Sequence, residues 1–301
     1  MELIVLGAAA GGGLPQWNCI GGQSRRAWSR EIPMQTQASV AIGSRQTGYV
    51  VVNASPDLRT QILQTRALQP DAHHPSGPRN TPIRAVVVTN ADVDNIAGLL
   101  NLREKQAFSL YGPEAVLKIL RDNTVFQVLD PEYVSTQVLE AGMVINPIED
   151  LSLELFHVAG KPPLYLEADL GIESGDKGFT SGVEIRCGSR TVLVISSCAH
   201  IDAALRQRIQ QADLLLFDGT LYQDDEMITL GLGQKTGRRM GHLPISAEDG
   251  PLQALADTHN TRKLFFHINN TNPIWDTDSQ AFRHITEAGW EVSHDGMVIP
   301  L

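Results

Sequence analysis

Short apolar runs that end in polar loops recur along the chain, and the clearest is residues 86–100, VVVTNADVDNIAGLL. Val86, Val87 and Val88 are apolar and β-branched, which predicts a buried strand. Thr89, Asn90, Asp92, Asp94 and Asn95 crowd the loop behind it, and Ala97, Gly98, Leu99, Leu100 and Leu102 open an apolar helical face. Short polar side chains at the carboxyl end of a buried strand stand where an α/β protein places its chemistry. Two carboxylates this close repel unless a cation or a proton lies between them. Asp and Asn are equally at home as helix caps, so the loop alone leaves both readings open.

The same alternation places the other elements. Residues 2–6 read as a strand and 7–13 as a loop of small residues. GAAAGGG lacks the GxGxxG spacing and no GK[ST] follows, so its glycines are read as allowing close backbone approach or positive φ. Residues 17–26 read as a polar loop. Residues 37–42 and 49–53 form a strand pair turned at 43–48. Residues 57–68 look helical, with Leu58, Ile62 and Leu63 on one face and Asp57 as the N-terminal carboxylate or, as the alternative, a groove-facing polar group. Residues 70–82, with four prolines, are a surface loop. Strand 108–111 and helix 113–123 follow, then a helical or irregular 125–139. Strands are predicted at 143–146, 151–158, 183–187 and 191–196, around a glycine- and proline-rich 159–180 read as a mobile flap over a site. The tail reads as helix 203–211, strand 214–217, loop 238–242, helix 245–259, strand 263–268, helix 279–288, strand 291–293 and an edge at 298–301. Two sheets between outer layers of helices fit this order.

Composition narrows the class. The 301 residues are 42% hydrophobic and 19% charged, ordinary for a globular chain expected to form one domain over residues 1–301. A net charge of −10 argues against a nucleic-acid partner, although Arg25, Arg26 and Arg30 make a small basic patch. No apolar run approaches the roughly 18 residues that span a bilayer, so no membrane insertion is expected. Glu2 stands where a signal peptide would be basic. Cys19, Cys187 and Cys198 are odd in number and widely spaced, which fits a reducing cytoplasm. The oligomeric state stays open, a homodimer being one option.

Three further loops share the strand-then-polar pattern. LLLFDGT places Asp218 after an apolar run, and FFHINNTNP places His267 before Asn269, Asn270 and Asn272. RRMGHLP places His242 after a glycine, and VISSCAHID places Ser196, Ser197 and His200 after a strand. Each has an ordinary structural reading as a cap, a turn or a core histidine. Together they lie at strand ends that a layered α/β fold gathers along one edge, which points to a metal or acid–base site.

TNADVDN lies where the metallo-β-lactamase superfamily carries T-H-x-H-x-D-H, and NASPDLR, MGHLP and FFHINNTNP resemble other elements of that superfamily. The strings LGAAAGGGLPQWNC, LFDGTLYQDDEM, GLGQKTGRRMGHLP, HINNTNPI and DGMVIPL resemble more closely the B family of pyrroloquinoline quinone biosynthesis proteins, over nearly the whole chain. The resemblance implies a four-layer αββα metallo-β-lactamase-like sandwich, a cytoplasmic protein, and a role in making the quinone from the Glu and Tyr of a peptide. Asn90, Asp92 and Asn95 replace superfamily histidines, and only Asp94 keeps its type. Asn amides are weak zinc ligands, which argues against a dizinc hydrolase. Many relatives carry CxCxxC where this chain has Cys19, Gly21 and Ser24, so no structural zinc is expected at that loop.

The resemblance implies iron- and oxygen-dependent hydroxylation of the tyrosine ring of a Glu-Tyr derived precursor. His242, His267 and a carboxylate from Asp218 or Asp92 match the two-histidine, one-carboxylate set of Fe(II) oxygenases. Asp94 is expected to orient a ligand, Asn269, Asn270 and Asn272 to meet substrate carboxylates or hold their loop, and Arg238 and Arg239 to clamp those carboxylates. A carrier moving the quinone or its precursor toward the periplasm is the first alternative, and a metal-dependent hydrolase the second.

Overall fold

Along Glu2–Gly7, Leu3 and Val5 enter one hydrophobic cluster while Ile4 and Leu6 enter another. A strand buried on both faces belongs inside a layered fold. The computed structural model, which describes residues 1–170 and 178–301, shows such layers. The first half supplies β1 (Glu2–Gly7), β2 (Ser39–Ser44), β3 (Gly48–Val52), β4 (Ile83–Val87), β5 (Phe108–Gly112) and β6 (Val134–Val138). The second supplies β7 (Val144–Ile148), β8 (Leu151–His157), β9 (Ser181–Cys187), β10 (Arg190–Ile195), β11 (Leu214–Asp218), β12 (Arg262–Phe266), β13 (Trp290–Val292) and β14 (Val298–Pro300).

Among the described residues these make two seven-stranded sheets, β14-β1-β2-β3-β4-β5-β6 and β13-β12-β11-β10-β9-β8-β7. Each is mixed: β3 to β6 and β10 to β13 run parallel, and the remaining pairs are antiparallel. Val40, Ile42, Val50 and Val87 of the first sheet share a core with Leu153, Leu155, Val183 and Ile185 of the second. The outer face of the first sheet packs Val51, Val86 and Val88 against Leu58, Val116, Leu117 and Leu120 of its helices. Leu205, Ile209, Ala281 and Ile285 cover the second sheet from helices Ala203–Gln210 and Gln280–Glu287. This is the four-layer αββα sandwich expected from the order of elements. Buried polar contacts join the sheets, with Asn53 Nδ2 donating to Ser196 Oγ at 3.3 Å.

Several local expectations are corrected. Gly22–Trp28 is a helix, not a loop, with Arg25 and Arg26 in its last turn, where cations suit the helix dipole. β6 was hidden in an irregular stretch because it is an edge strand, exposed beyond Val134 and paired to β5 through its backbone. The long helix at 245–259 reduces to Pro251–Ala254, and Gly237–Met240 is a helical turn capped by Thr236. Leu63 is exposed rather than on the buried face. Asp57 stands at the N-cap of its helix as expected, but its side chain makes no cap bond; its Oδ2 accepts from Gln37 N and Nε2 at 3.0 and 2.9 Å. Residues 171–177 of the expected flap lie outside the described residues.

Candidate metal centre

The parallel halves of both sheets aim the carboxyl ends of their strands at one edge, and the polar loops meet there. β4 leads to Asp92 and Asp94, β11 ends in Asp218, and β12 delivers His267. Gly241 takes φ +89°, ends the Gly237–Met240 turn and turns the chain into His242. His267 has φ +57°, a left-handed conformation costing a non-glycine residue roughly 1 kcal/mol or more. The next residue offsets it: Ile268 N donates to Ala8 O at 3.0 Å and Ala10 N donates to Ile268 O at 2.8 Å. The small-residue loop after β1 is thus a backbone partner of the histidine loop. Gly7 is needed because a Cβ there would lie 2.2 Å from Gln37 O.

Thr220 joins the site's groups. Its hydroxyl donates to Asp218 Oδ1 at 2.7 Å and lies 2.9 Å from His267 Nδ1 and 3.1 Å from His242 Nδ1. His242 Nδ1 also lies 2.7 Å from Asp218 Oδ2, which accepts from Cys198 N at 2.9 Å. Since Thr220 gives its single proton to Asp218, this network assigns a proton to Nδ1 of each imidazole. Nε2 is then the ring atom that each histidine could offer a metal, free in His242 and facing Asp94 in His267. The rings stack with centroids 5.4 Å apart. Asp218 is fully buried, and burial alone would raise its pKa. His242, His267 and Thr220 more than offset that and hold it below the usual range.

Asp218, His242 and His267 bring one ligand atom each within 4.8 Å of one another. Two imidazoles and a carboxylate are donors that first-row metals accept, so the residues present fit a bound metal. Asp92 lines the same cavity outside that trio, and burial followed by repulsion from Asp94 raises its pKa. Asp94 Oδ2 lies 2.9 Å from His267 Nε2, so in the metal-free protein that nitrogen also carries a proton and donates it to Asp94, and a metal would have to displace it. Asn90 and Asn95 pair with each other, Nδ2 of Asn95 donating to Asn90 Oδ1 at 2.6 Å.

The cavity measures about 330 Å³ and is lined in part by Asp92, Asp94, His242, His267, Asn269, Ser197, Lys161 and Lys235. Asn270 and Asn272 hold the loop instead. Asn270 donates to Ser24 Oγ at 2.8 Å, and Asn272 donates to Gly219 O and accepts from Ile274 N. Arg238 and Arg239, expected to clamp substrate, are not among the residues that line the cavity, and each meets an acidic partner instead. Arg238 pairs bidentately with Asp249, and Arg239 pairs with Glu167 at 2.9 Å. The cations lining the cavity are Lys161 and Lys235, which residue pattern did not single out. Thr220 was visible only as the end of a DGT turn. His200 is exposed, and Ser196 is buried between the sheets. At the Cys19 loop, Ser24 is buried, its hydroxyl accepting from Gln16 N and Asn270 Nδ2.

Comparison with known proteins agrees with this architecture. The family described as Beta-lactamase superfamily domain matches residues 49–268. Coenzyme PQQ synthesis protein B of Rhizobium meliloti (strain 1021) is 47% identical, covering 100% of this chain and 98% of its own. The protein of the same name from Xanthomonas euvesicatoria pv. vesicatoria (strain 85-10) is 46% identical, with 100% of both chains covered. The crystal structure of Zn(2+)-bound PqqB from Methylobacterium extorquens superposes with a TM-score of 0.95 at 42% identity over 100% of both chains. This chain belongs to the coenzyme PQQ synthesis protein B family, within the beta-lactamase superfamily.

Proposed function

We propose that this protein carries out a step in PQQ biosynthesis, the hydroxylation of the tyrosine ring of a Glu-Tyr derived precursor. The observation that carries the reading is the trio of Asp218, His242 and His267, with ligand atoms within 4.8 Å of one another beside a cavity. These residues would hold Fe(II), which when bound supplies the activation of dioxygen that ring hydroxylation needs. One oxygen atom enters a ring C–H bond and the other leaves as water, so two electrons must come from an added reductant. Around this, Thr220 and Asp218 fix the tautomer of both imidazoles, and Asp92 and Asp94 supply negative charge at the cavity floor. Asn269 offers an amide to the ligand.

The test loads anaerobically purified protein with Fe(II), then adds oxygen, ascorbate and a Glu-Tyr dipeptide. A dihydroxyphenyl product that disappears in His267→Ala, together with the bound iron, is the expected result. No product, with metal content unchanged in the variant, would sink the reading.

A carrier of the quinone or its precursor is the second reading. Lys161 and Lys235 favour it, because two ammonium groups in the cavity wall can meet an anionic ligand without metal. Among the described residues no helix is long and apolar enough to cross a membrane. Tight binding of PQQ to metal-free protein, without turnover, would favour the carrier.

A further inference from the structure

Lys161 and Lys235 line the cavity, and both ammonium groups face a single carboxylate, Glu167. Lys161 Nζ lies 2.8 Å from Glu167 Oε1, Arg239 Nη2 2.9 Å from Oε2, and Lys235 Nζ 3.7 Å from Oε2. One carboxylate thus answers three cations within this cluster. The 3.7 Å contact is too long for a hydrogen bond, so Lys235 is drawn in by charge alone. Lys161 is firmly seated. Its Nζ also donates to Pro162 O, and its stem lies along Gly241, where a Cβ would come within 3.2 Å of Lys161 Cγ. That glycine directly precedes His242, so the ammonium is registered against the loop that carries a candidate ligand. The Glu167 side chain is only 9% exposed although its residue opens a short helix, Glu167–Leu170.

The rest of the cavity explains why such cations are needed there. Asp92 and Asp94 line it, and buried Asp218 lies beside His242 and His267 behind that lining, in a chain whose net charge is −10. A ligand bearing carboxylates would be repelled on entry unless fixed positive charge met it. We infer that Lys161 and Lys235 are the recognition wall for a ligand carboxylate, and that Glu167 occupies that carboxylate's place until the ligand displaces it. The inference rests on the reading that this cavity is the substrate site. It makes carboxylate count the selected property: a ligand with a second carboxylate gains the lysines, and its neutral amide analogue does not. Arg239 keeps Glu167 from being expelled altogether, so the exchange is reversible.

The test measures binding to the full-length, metal-free protein by calorimetry at fixed ionic strength. The probes are Glu-Tyr, Gln-Tyr, in which the side-chain carboxylate is an amide, and tricarballylate, which has carboxylates but no ring. Wild type should prefer Glu-Tyr over Gln-Tyr by about 10-fold, the scale of one charge-assisted contact. Lys235→Gln and Lys161→Gln should erase that preference, Lys161→Arg should retain part of it, and Glu167→Gln should tighten Glu-Tyr and tricarballylate by removing the internal competitor. Lys235 is 40% exposed, so its variant decides the matter even if Lys161→Gln fails to fold. Equal binding of Glu-Tyr and Gln-Tyr by wild type, or a preference that survives Lys235→Gln, would overturn the inference. Turnover separates it from the proposed chemistry. Lysine-dependent tricarballylate binding without hydroxylation of Glu-Tyr supports the wall and sinks the oxygenase. Hydroxylation with an unchanged KM in Lys235→Gln supports the oxygenase and sinks the wall.

Discussion

Asp94 Oδ2 lies 2.9 Å from His267 Nε2, although 173 residues separate the two along the chain. The carboxylate comes from the loop after β4 in the first sheet, and the imidazole from the end of β12 in the second, so the contact joins the sheets at the cavity. It sets the charge of both partners. Burial works against each charge, but His267 holds the Asp94 carboxyl below its usual range and Asp94 raises the His267 imidazole.

Asp94→Asn keeps the shape and removes the charge that faces Nε2. Fe(II) affinity is expected to fall by about 10- to 100-fold, the range seen when groups supporting metal ligands are altered. Titration of metal-free protein with Fe(II) under argon measures this. Unchanged affinity would mean that Asp94 serves only to join the sheets.

Thr220→Val tests the hydroxyl that touches Asp218, His242 and His267. Valine fills the same volume, so the change isolates the lost hydrogen bonds. Asp218 Oδ1 would keep only its contact with the residue 220 amide, and a stability loss of about 1–3 kcal/mol is expected in urea denaturation. Metal affinity should fall as well, because the Nδ1 protons lose their shared acceptor. Loss of stability with full metal affinity would deny Thr220 its part in setting the tautomers.

What could be read from sequence depended on whether a feature was local. Val86 to Val88 followed by Asn90, Asp92 and Asp94 is a strand end in any fold, and LLLFDGT and FFHINN repeat it. The candidate ligands and the layered architecture were therefore legible. Partners distant in sequence were not. Nothing in GRRMG tells that Arg238 will meet Asp249 and Arg239 will meet Glu167. Lys161 sits in a proline-rich stretch with no periodicity, and its stem finds Gly241 only in the folded chain. β6 carries no apolar face because an edge strand is held by backbone bonds, which side-chain patterning does not report.

Gly98→Ala probes the start of the segment that carries the β4 loop back into the outer core. A Cβ there would fall 2.0 Å from Ser55 O, and Gly98 N donates to Ala54 O at 2.8 Å. The obstacle is backbone, so it yields only if the loop shifts, and a loss of about 3 kcal/mol or more is expected. Gly142→Ala is the control. It has φ +80° but nothing within 4 Å, so only left-handed strain of about 1 kcal/mol applies. Equal losses in urea denaturation would show that the close approach at Gly98 is relaxed in solution.

Glu167 should make stability depend on acid in a defined window. Its carboxyl is held at about 2 against an ordinary 4.5, chiefly by the hydrogen bond from Arg239, then by Lys161 and Lys235 against the opposing effect of burial. A carboxyl depressed in the folded state contributes stability above its unfolded value and loses it as pH falls toward its folded value. The contribution is therefore complete above about pH 4.5 and declines from there toward pH 2. Glu167→Gln should be less stable than wild type by about 1–2 kcal/mol at neutral pH, once solvent screening of the half-exposed lysine is discounted. The gap should narrow from about pH 4.5 down to about pH 2 as the wild type loses its advantage, about as expected for a carboxyl shifted this far. Urea denaturation at stepped pH follows the difference directly. A gap that stays constant through the window would mean that the glutamate acts by packing, and that its three cations add nothing to folding.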